Sequence, residues 1–329
     1  MGEKIVNFLR KNPIVLILAA FIAVASILTP NFMTFGNIRN LLTQSSIQGI
    51  IALGATFLIL TGYRDLSVGA LMGLSGALTV KMQLSYSVWA GIGFAIIVAL
   101  IVGLINGFLV VKVGINTFIA TLASMLGCRG SMFLYTGGIP VSATDTRFIE
   151  FGSGYFLQIP NLFIVFGILV LVADFVLRRT THGRNTYAVG GNKEAASNAG
   201  INVQRTAIAN FMICSLGAAL GGILMAARTS ASYPNMGWPD THFIVIVMVV
   251  LGGTKLIGGI GNAFYTLGGV LVLTIIQNVF NLLKISAVYD PLITGLILIG
   301  TLYMDSVINP ATMSNLKKKK RLKSGPASE

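Results

Sequence analysis

Residues able to do covalent or metal chemistry are sparse in this chain and poorly spaced for it. There are two histidines, His182 and His242, and two cysteines, Cys128 and Cys214, in 329 residues. The histidines lie far apart, and no nucleophile–base pair or metal-ligand spacing surrounds them. Both cysteines sit in apolar stretches, where a thiol behaves as a small hydrophobe. A phosphate-cradling loop needs two glycines five residues apart followed by Lys and Ser or Thr. Gly252-Gly253-Thr254-Lys255 and Gly191-Asn192-Lys193 lack that spacing, and the ATPase-like tetrapeptide Leu74-Ser75-Gly76-Ala77 lies in an apolar run as a chance match. The chain is expected to be no enzyme and to hold no metal or cofactor of its own.

What remains is polar side chains at the ends of, or inside, apolar segments, where they are costly and therefore candidates for function. Asp65 and Ser67 follow Arg64; Asn106, Asn116, Thr117 and Thr121 stand around two later apolar runs. A local ion pair or turn accounts equally well for Asp65, and interhelical hydrogen bonding accounts for most of the others. Asp145, Arg147 and Glu150 lie in a long polar stretch, and Ser232–Trp238 forms a second with Pro234 and Gly237; either suits an external partner or a solvated loop. From Leu251 to Gly261 five positions in eleven are glycine: Gly252, Gly253, Gly258, Gly259 and Gly261. Missing side chains there serve either close packing at a turn or an unwound gate segment that includes Thr254.

The longest polar interruption, residues 178–205, carries Arg178, Arg179, Arg184, Lys193 and Arg205 against the single acid Glu194. Gly190-Gly191-Asn192 supplies flexible backbone and an N-cap. Lys193-Glu194-Ala195-Ala196-Ser197 then reads as a short helix stopped at Gly200. A short helix held between apolar segments is a lever for a partner to grip.

The elements that must position these residues follow from composition. With 54% hydrophobic and 10% charged residues, the chain departs from the usual quarter charged of a soluble domain. Stretches of about 20 apolar residues predict membrane-spanning helices, near 13–29, 46–62, 66–84, 88–110, 116–136, 160–177, 206–228, 241–251, 262–283 and 287–305. The expected class is all-α, a polytopic membrane bundle of about ten helices, with the eighth too short for a simple crossing. Residues 1–12 precede one transmembrane domain over 13–306, and 307–329 form a basic tail.

Lys4, Arg10 and Lys11 before an apolar run ending Ala23-Val24-Ala25 also fit a cleaved signal peptide, but a retained first helix is the favoured reading. With that end inside, seventeen cations fall in inner segments, among them Arg64, Lys112, Lys255 and Lys317–Lys320, Arg321 and Lys323 of the tail. Four fall outside: Arg39, Lys81, Arg147 and Lys284. This positive-inside bias predicts cytoplasmic termini and a cytoplasmic central loop. It explains the +13 net charge better than nucleic-acid binding does, with anionic lipid under the tail as a further partner. The pairs Gly69/Gly73, Gly103/Gly107 and Gly217/Gly221 let helices approach closely in lipid.

Four stretches together resemble the permease subunits of bacterial ribose-type sugar ABC importers. Thr61-Gly62-Tyr63-Arg64-Asp65-Leu66-Ser67-Val68-Gly69 is similar to the family's TGGIDLSVG, and Asn116-Thr117-Phe118-Ile119-Ala120-Thr121-Leu122 to its P-[ST]-F-I-x-T-L. The third runs from Thr181-His182-Gly183-Arg184 through Gly190-Gly191-Asn192-Lys193-Glu194-Ala195-Ala196 to Gly200-Ile201, and the fourth joins Val250-Leu251-Gly252-Gly253-Thr254 to Gly258-Gly259-Ile260-Gly261. The resemblance spans roughly 40–305 and implies a type II importer-like permease in the inner membrane. Its implied partners are an identical or homologous second permease, two cytoplasmic ATPases that use ATP and magnesium, and an extracytoplasmic binding protein delivering a pentose or hexose. Gly191 to Gly200 would be the coupling helix that docks on the ATPase. The chain departs from the pattern at Tyr63-Arg64, where the family has Gly-Ile, and at His242 and Ile244, where it has acids. A branched-chain amino acid or nucleoside permease is the nearer alternative. An ion-coupled secondary transporter is more remote, since Asp65, Asp174 and Asp305 all sit near predicted span ends.

Overall fold

The computed structural model describes residues 13–308, so Lys4, Arg10, Lys11 and the tail cations lie outside the described residues. Thirteen α-helices occur among them. They are α1 (Pro13–Leu28), α2 (Phe35–Leu60), α3 (Val68–Gln83), α4 (Val88–Phe108), α5 (Thr117–Thr136), α6 (Thr146–Ser153) and α7 (Asn161–Arg179). Then come α8 (Thr181–Gly191), α9 (Lys193–Asn198), α10 (Val203–Thr229), α11 (Thr241–Leu251), α12 (Ala263–Leu282) and α13 (Asp290–Ile308). A π-helical turn, Leu109–Val113, extends α4. The chain divides after Ala287 into two compact units; α13 belongs to the second and the other helices to the first.

Each of the ten predicted spans coincides with a helix, but ten simple crossings do not follow. Among the described residues six helices are long and apolar enough to cross a membrane alone: α2, α4 with its π turn, α5, α7, α10 and α12. The helices α3 and α11 have 16 and 11 residues, short of the roughly 20 a crossing needs. Non-helical segments precede both, 61–67 and 233–240. Ser232–Trp238 is accordingly not a plain outer turn. Met236 is buried, and the backbone around Met236 and Gly237 lies against Gly73 and Gly69 of α3. Irregular backbone at membrane depth is stable when protein surrounds it.

The centre of the first unit is α10, which packs along α2, α3 and α4. Small residues permit this. A Cβ on Gly103 would stand 2.8 Å from Met212 Cα, one on Gly107 3.0 Å from Ile208 Cα, and one on Gly217 3.0 Å from Ile50 O. All three predicted glycine pairs therefore serve contacts inside this chain. Burial separates interior from periphery: 78% of the α2 window is buried against 28% for α5 and α7. The outer faces of α4 and α7 expose Ile97, Ile101, Leu171 and Phe175, suited to lipid.

At one end α6 and two short antiparallel pairs cover the bundle: β1 (Val141–Ser142) with β4 (Ala231–Ser232), and β2 (Tyr155–Phe156) with β3 (Ile159–Pro160). Asp145 caps α6 by accepting from Phe148 N–H at 3.1 Å. At the other end lie α8, α9 and the glycine-rich loop 252–261. One prediction tests the packing. Gly222 of α10 faces the Met72 carbonyl with no room for a Cβ, whereas Gly93 of α4 has open space around it. Gly222→Ala should cost about 1–3 kcal/mol through overpacking and lower the melting temperature in detergent, while Gly93→Ala should leave it within error.

Candidate functional site

The predicted site residues gather into two arrangements. The first is a buried polar cluster in the linker between α2 and α3. Asp65 Oδ1 accepts from Ser67 N–H at 2.7 Å and from the Ser67 hydroxyl at 2.6 Å. Asn106 of α4 donates to Ser67 Oγ at 3.2 Å and to Asp65 Oδ2 at 3.4 Å, and it accepts from Ser124 of α5. Asp65, Ser67 and Asn106 are all buried. The carboxyl has no salt bridge to Arg64; its partners are the hydrogen-bond donors of Ser67 and Asn106. Asn116, Thr117 and Thr121 do not join this cluster. Asn116 caps α5 by accepting from Phe118 N–H, and the Thr121 hydroxyl returns to the Thr117 carbonyl.

The second arrangement is a backbone junction at the opposite end from α6. Leu60 O, at the end of α2, accepts from Gly259 N–H at 2.9 Å. Gly190, in the last turn of α8, approaches so closely that a Cβ on it would overlap Leu60 O and stand 2.5 Å from Gly259 N. A Cβ on Gly258 would lie 2.9 Å from Gly62 N and 3.1 Å from Gly190 Cα. Gly258 and Gly259 also take φ of +94° and +77°, which only glycine adopts freely. The loop closes on itself through Lys255 N–H to Ile260 O and Gly258 N–H to Lys255 O. Gly252 packs on Tyr265, Gly253 turns at φ +96°, and Thr254 is buried beside Gly261. Two glycine groups that the sequence suggests for separate tasks, 190–191 and 258–259, thus touch each other.

The central polar stretch is mostly helical. The short helix read from Lys193 to Ser197 is present as α9, capped by Asn192 accepting from Ala195 N–H at 3.0 Å. The preceding α8 went unread, because Thr181–Gly191 holds two threonines and three glycines, all weak helix formers. Thr180 caps it, and Gly183 fits tightly against the end of α7. Arg184 is exposed, its guanidinium reaching Thr181. His182 Nε2 and Asn210 Oδ1 lie 2.8 Å apart, and Asn210 donates to the Thr186 hydroxyl at 3.0 Å, so α8 is pinned to α10. Tyr187 donates its hydroxyl to Gly261 O at 2.7 Å. Burial pushes the Tyr187 phenol up, Arg178 pulls it down, and Asp174 raises it again. In α9 only Ala196 is buried; Lys193, Glu194 and Ala195 are exposed, as are Gly191 and Gly200 outside it.

The residues that depart from the family pattern bind the two arrangements together. Lys193 Nζ lies 3.9 Å above the Tyr63 ring, which packs on Phe211 of α10 at 5.8 Å. Arg64 donates to Leu256 O at 3.2 Å. A glycine and an isoleucine at 63 and 64 would make neither contact. His242 is buried in α11, its ring 4.1 Å from that of Phe243. The junction is testable through neighbouring glycines. Gly190→Ala should force α8 away from Leu60 at about 1–3 kcal/mol and reduce the chain's function severely. Gly191→Ala, with nothing within 4 Å of its Cβ, should be nearly silent in the same uptake and thermal-stability assays.

A family model described as the branched-chain amino acid transport system / permease component matches residues 37–302. The ribose import permease protein RbsC of Escherichia coli K12 is 36% identical over 304 residues, 91% of this chain and 94% of that protein. RbsC of Bacillus subtilis 168 is 39% identical over 294 residues, covering 86% and 89%. The L-arabinose transport system permease protein AraH of E. coli K12 is 36% identical over 288 residues, 87% of each chain. No solved structure matches the chain. With its apolar helices long enough to cross a bilayer several times, the chain is a multi-pass membrane protein and belongs to this family of ABC importer permeases.

Proposed function

We propose that this chain is the transmembrane permease subunit of an ATP-driven sugar importer of the inner membrane. The observation that carries the reading is α9: exposed on one side for a partner, and keyed through α8 and the glycine junction to the bundle on the other. ATPase subunits would grip α8–α9 in the cytoplasm. The exposed Glu194 and Ala195 are the docking face, while buried Ala196 holds α9 in place. The chain binds no nucleotide or metal itself; ATP and magnesium belong to the ATPases.

A second permease, identical or homologous, would complete the pathway, and an extracytoplasmic binding protein would deliver the sugar to the α6 end. Both termini would then be cytoplasmic, the tail lying near anionic lipid. Movement of α9 on ATP binding reaches the α2–α3 linker through Lys193–Tyr63 and the backbone contacts at Leu60. That linker carries Asp65 and Ser67, whose bonds to Asn106 lie buried between α3, α4 and α5. The pathway would change the side it faces as these elements shift between two packings. The names of the relatives, two for ribose and one for L-arabinose, support a sugar over an amino acid.

Co-purification tests the reading. Tagged chain extracted in mild detergent from its own cells should bring down stoichiometric ATPase. Glu194→Lys with Ala195→Trp should lose it while membrane insertion stays normal. Absence of ATPase from the wild-type preparation, with uptake that follows an ion gradient, would replace the reading with secondary transport.

A further inference from the structure

The half of the first unit remote from α8–α9 contains a cavity of about 530 Å³ between α3, α4 and α5, and another of about 520 Å³ between α2, α3, α10 and the 233–241 segment. The first is walled almost wholly by apolar side chains such as Leu74, Phe94, Val98 and Ile105. The second is different. Gln44, Gln48, Arg228, Tyr233 and Thr241 all line it. Each is half-buried, and none makes a side-chain hydrogen bond to the protein among the described residues. Gln48 Oε1 is buried without any partner.

The unpartnered Gln48 Oε1 is the unusual feature, since buried polar groups in native proteins are nearly always paired; the half-buried side chains around it add polar capacity that a ligand could use. Depth adds to the argument. Gln48 is near the midpoint of the 26-residue α2, one turn from Gln44, while Arg228 lies one residue before the end of α10. The cavity therefore runs from the α6 end of the bundle toward its middle. Ile47, Met72 and Met225 give it an apolar wall, and Gly237 brings its backbone against Gly69 to form the inner limit.

Resting on the importer reading, we propose that this cavity is a transit site for a neutral polyhydroxylated ligand, a monosaccharide, on its way through the permease. A sugar has a hydroxyl-rich edge and a CH-rich face, and the cavity offers both amide, guanidinium and phenol groups and the apolar Ile47, Met72 and Met225. Donor and acceptor bookkeeping selects the class. A hydroxyl can donate to an amide oxygen of Gln44 or Gln48 and accept from the Arg228 guanidinium at once. A carboxylate or phosphate only accepts, so it would satisfy Arg228 and leave the glutamine oxygens unpaired. No carboxylate among the described residues forms a salt bridge with Arg228; its electrostatic neighbours are Tyr155 and the cavity's own Tyr233, which leaves guanidinium donors for a ligand.

The test uses the complete importer, with its ATPase and binding protein, in proteoliposomes. Radiolabelled D-ribose, L-arabinose, D-glucose and D-glucuronate are the probes, and uptake is normalised to assembled complex. Gln48→Leu should lower uptake of the transported neutral sugar roughly three- to tenfold, about the worth of one neutral hydrogen bond. A second measurement does not depend on that variant folding well. Gln44→Cys places a thiol in the cavity, and the native Cys128 and Cys214 are buried. Sugar-loaded binding protein should slow labelling of the Gln44→Cys thiol by a membrane-impermeant reagent more than sugar-free binding protein does. Wild-type uptake with unchanged Gln48→Leu uptake and unprotected thiol would overturn the transit site alone. Protection by D-glucuronate but by no neutral sugar would overturn the ligand class. No uptake of any sugar by the wild type would remove the sugar-import reading and this inference with it.

Discussion

Three stretches of backbone meet at Leu60, Gly190 and Gly259 with no side chain between them, and the rest of the structure depends on that contact. A packed side chain can change rotamer under load, and a hydrogen bond between long side chains can swing. Peptide planes in contact do neither, because their only soft coordinates are φ and ψ. Whatever displaces α8 therefore displaces the end of α2 and the glycine loop with it. The junction also explains where glycine is spent. At Gly190 the need is proximity, and at Gly258 and Gly259 it is both proximity and left-handed backbone. Elsewhere the same residue serves α10, letting three helices lie against it.

The linker beyond the junction carries the opposite kind of interaction. Asp65 sits buried without a cation, held by Ser67 and Asn106. Burying a carboxyl group is expensive unless it is hydrogen-bonded, and each donor offsets part of that penalty only while its geometry holds. A rigid contact at one end of the linker and a demanding polar cluster at the other make an element with few intermediate positions. Tyr63 and Arg64 add to this by tying the linker to α9 and to the glycine loop, contacts particular to this chain's side chains at those positions.

Much of this was legible in the sequence. Hydropathy located a helix at every predicted segment, because lipid demands long apolar runs whatever the tertiary structure. Asn192 announced the start of α9, since capping is a local matter settled by one side chain and the next turn. Span number was not legible in the same way. Polar and turn-forming residues mark 61–67 and 233–240 as breaks in the apolar pattern, but whether a break lies in water or folds back at membrane depth depends on the protein packed around it. Asn116 and Thr121 read like Asn106, yet both satisfy themselves within their own helix turn, Thr121 on the Thr117 carbonyl. Nothing in residue type separates a capping asparagine from a bridging one. Gln44, Gln48 and Arg228 were passed over for a related reason. Their distinction lies in lacking partners, which only the folded chain displays.

The bond network at Asn210 has a mechanical corollary. Its amide receives α8 from one side through His182 and Thr186, while the helix that bears it is wedged among α2, α3 and α4. A lever needs a fulcrum that does not travel, and α10 is held too firmly to slide. With α8 pinned to Asn210 through His182 and Thr186, and Gly190 one to two turns further along α8 at the junction, the push on α9 that the proposed importer requires would arrive there as a tilt of α8 and not as a translation of the bundle. In that proposal the stroke available to the α2–α3 linker would be set by the length of α8 between pin and load.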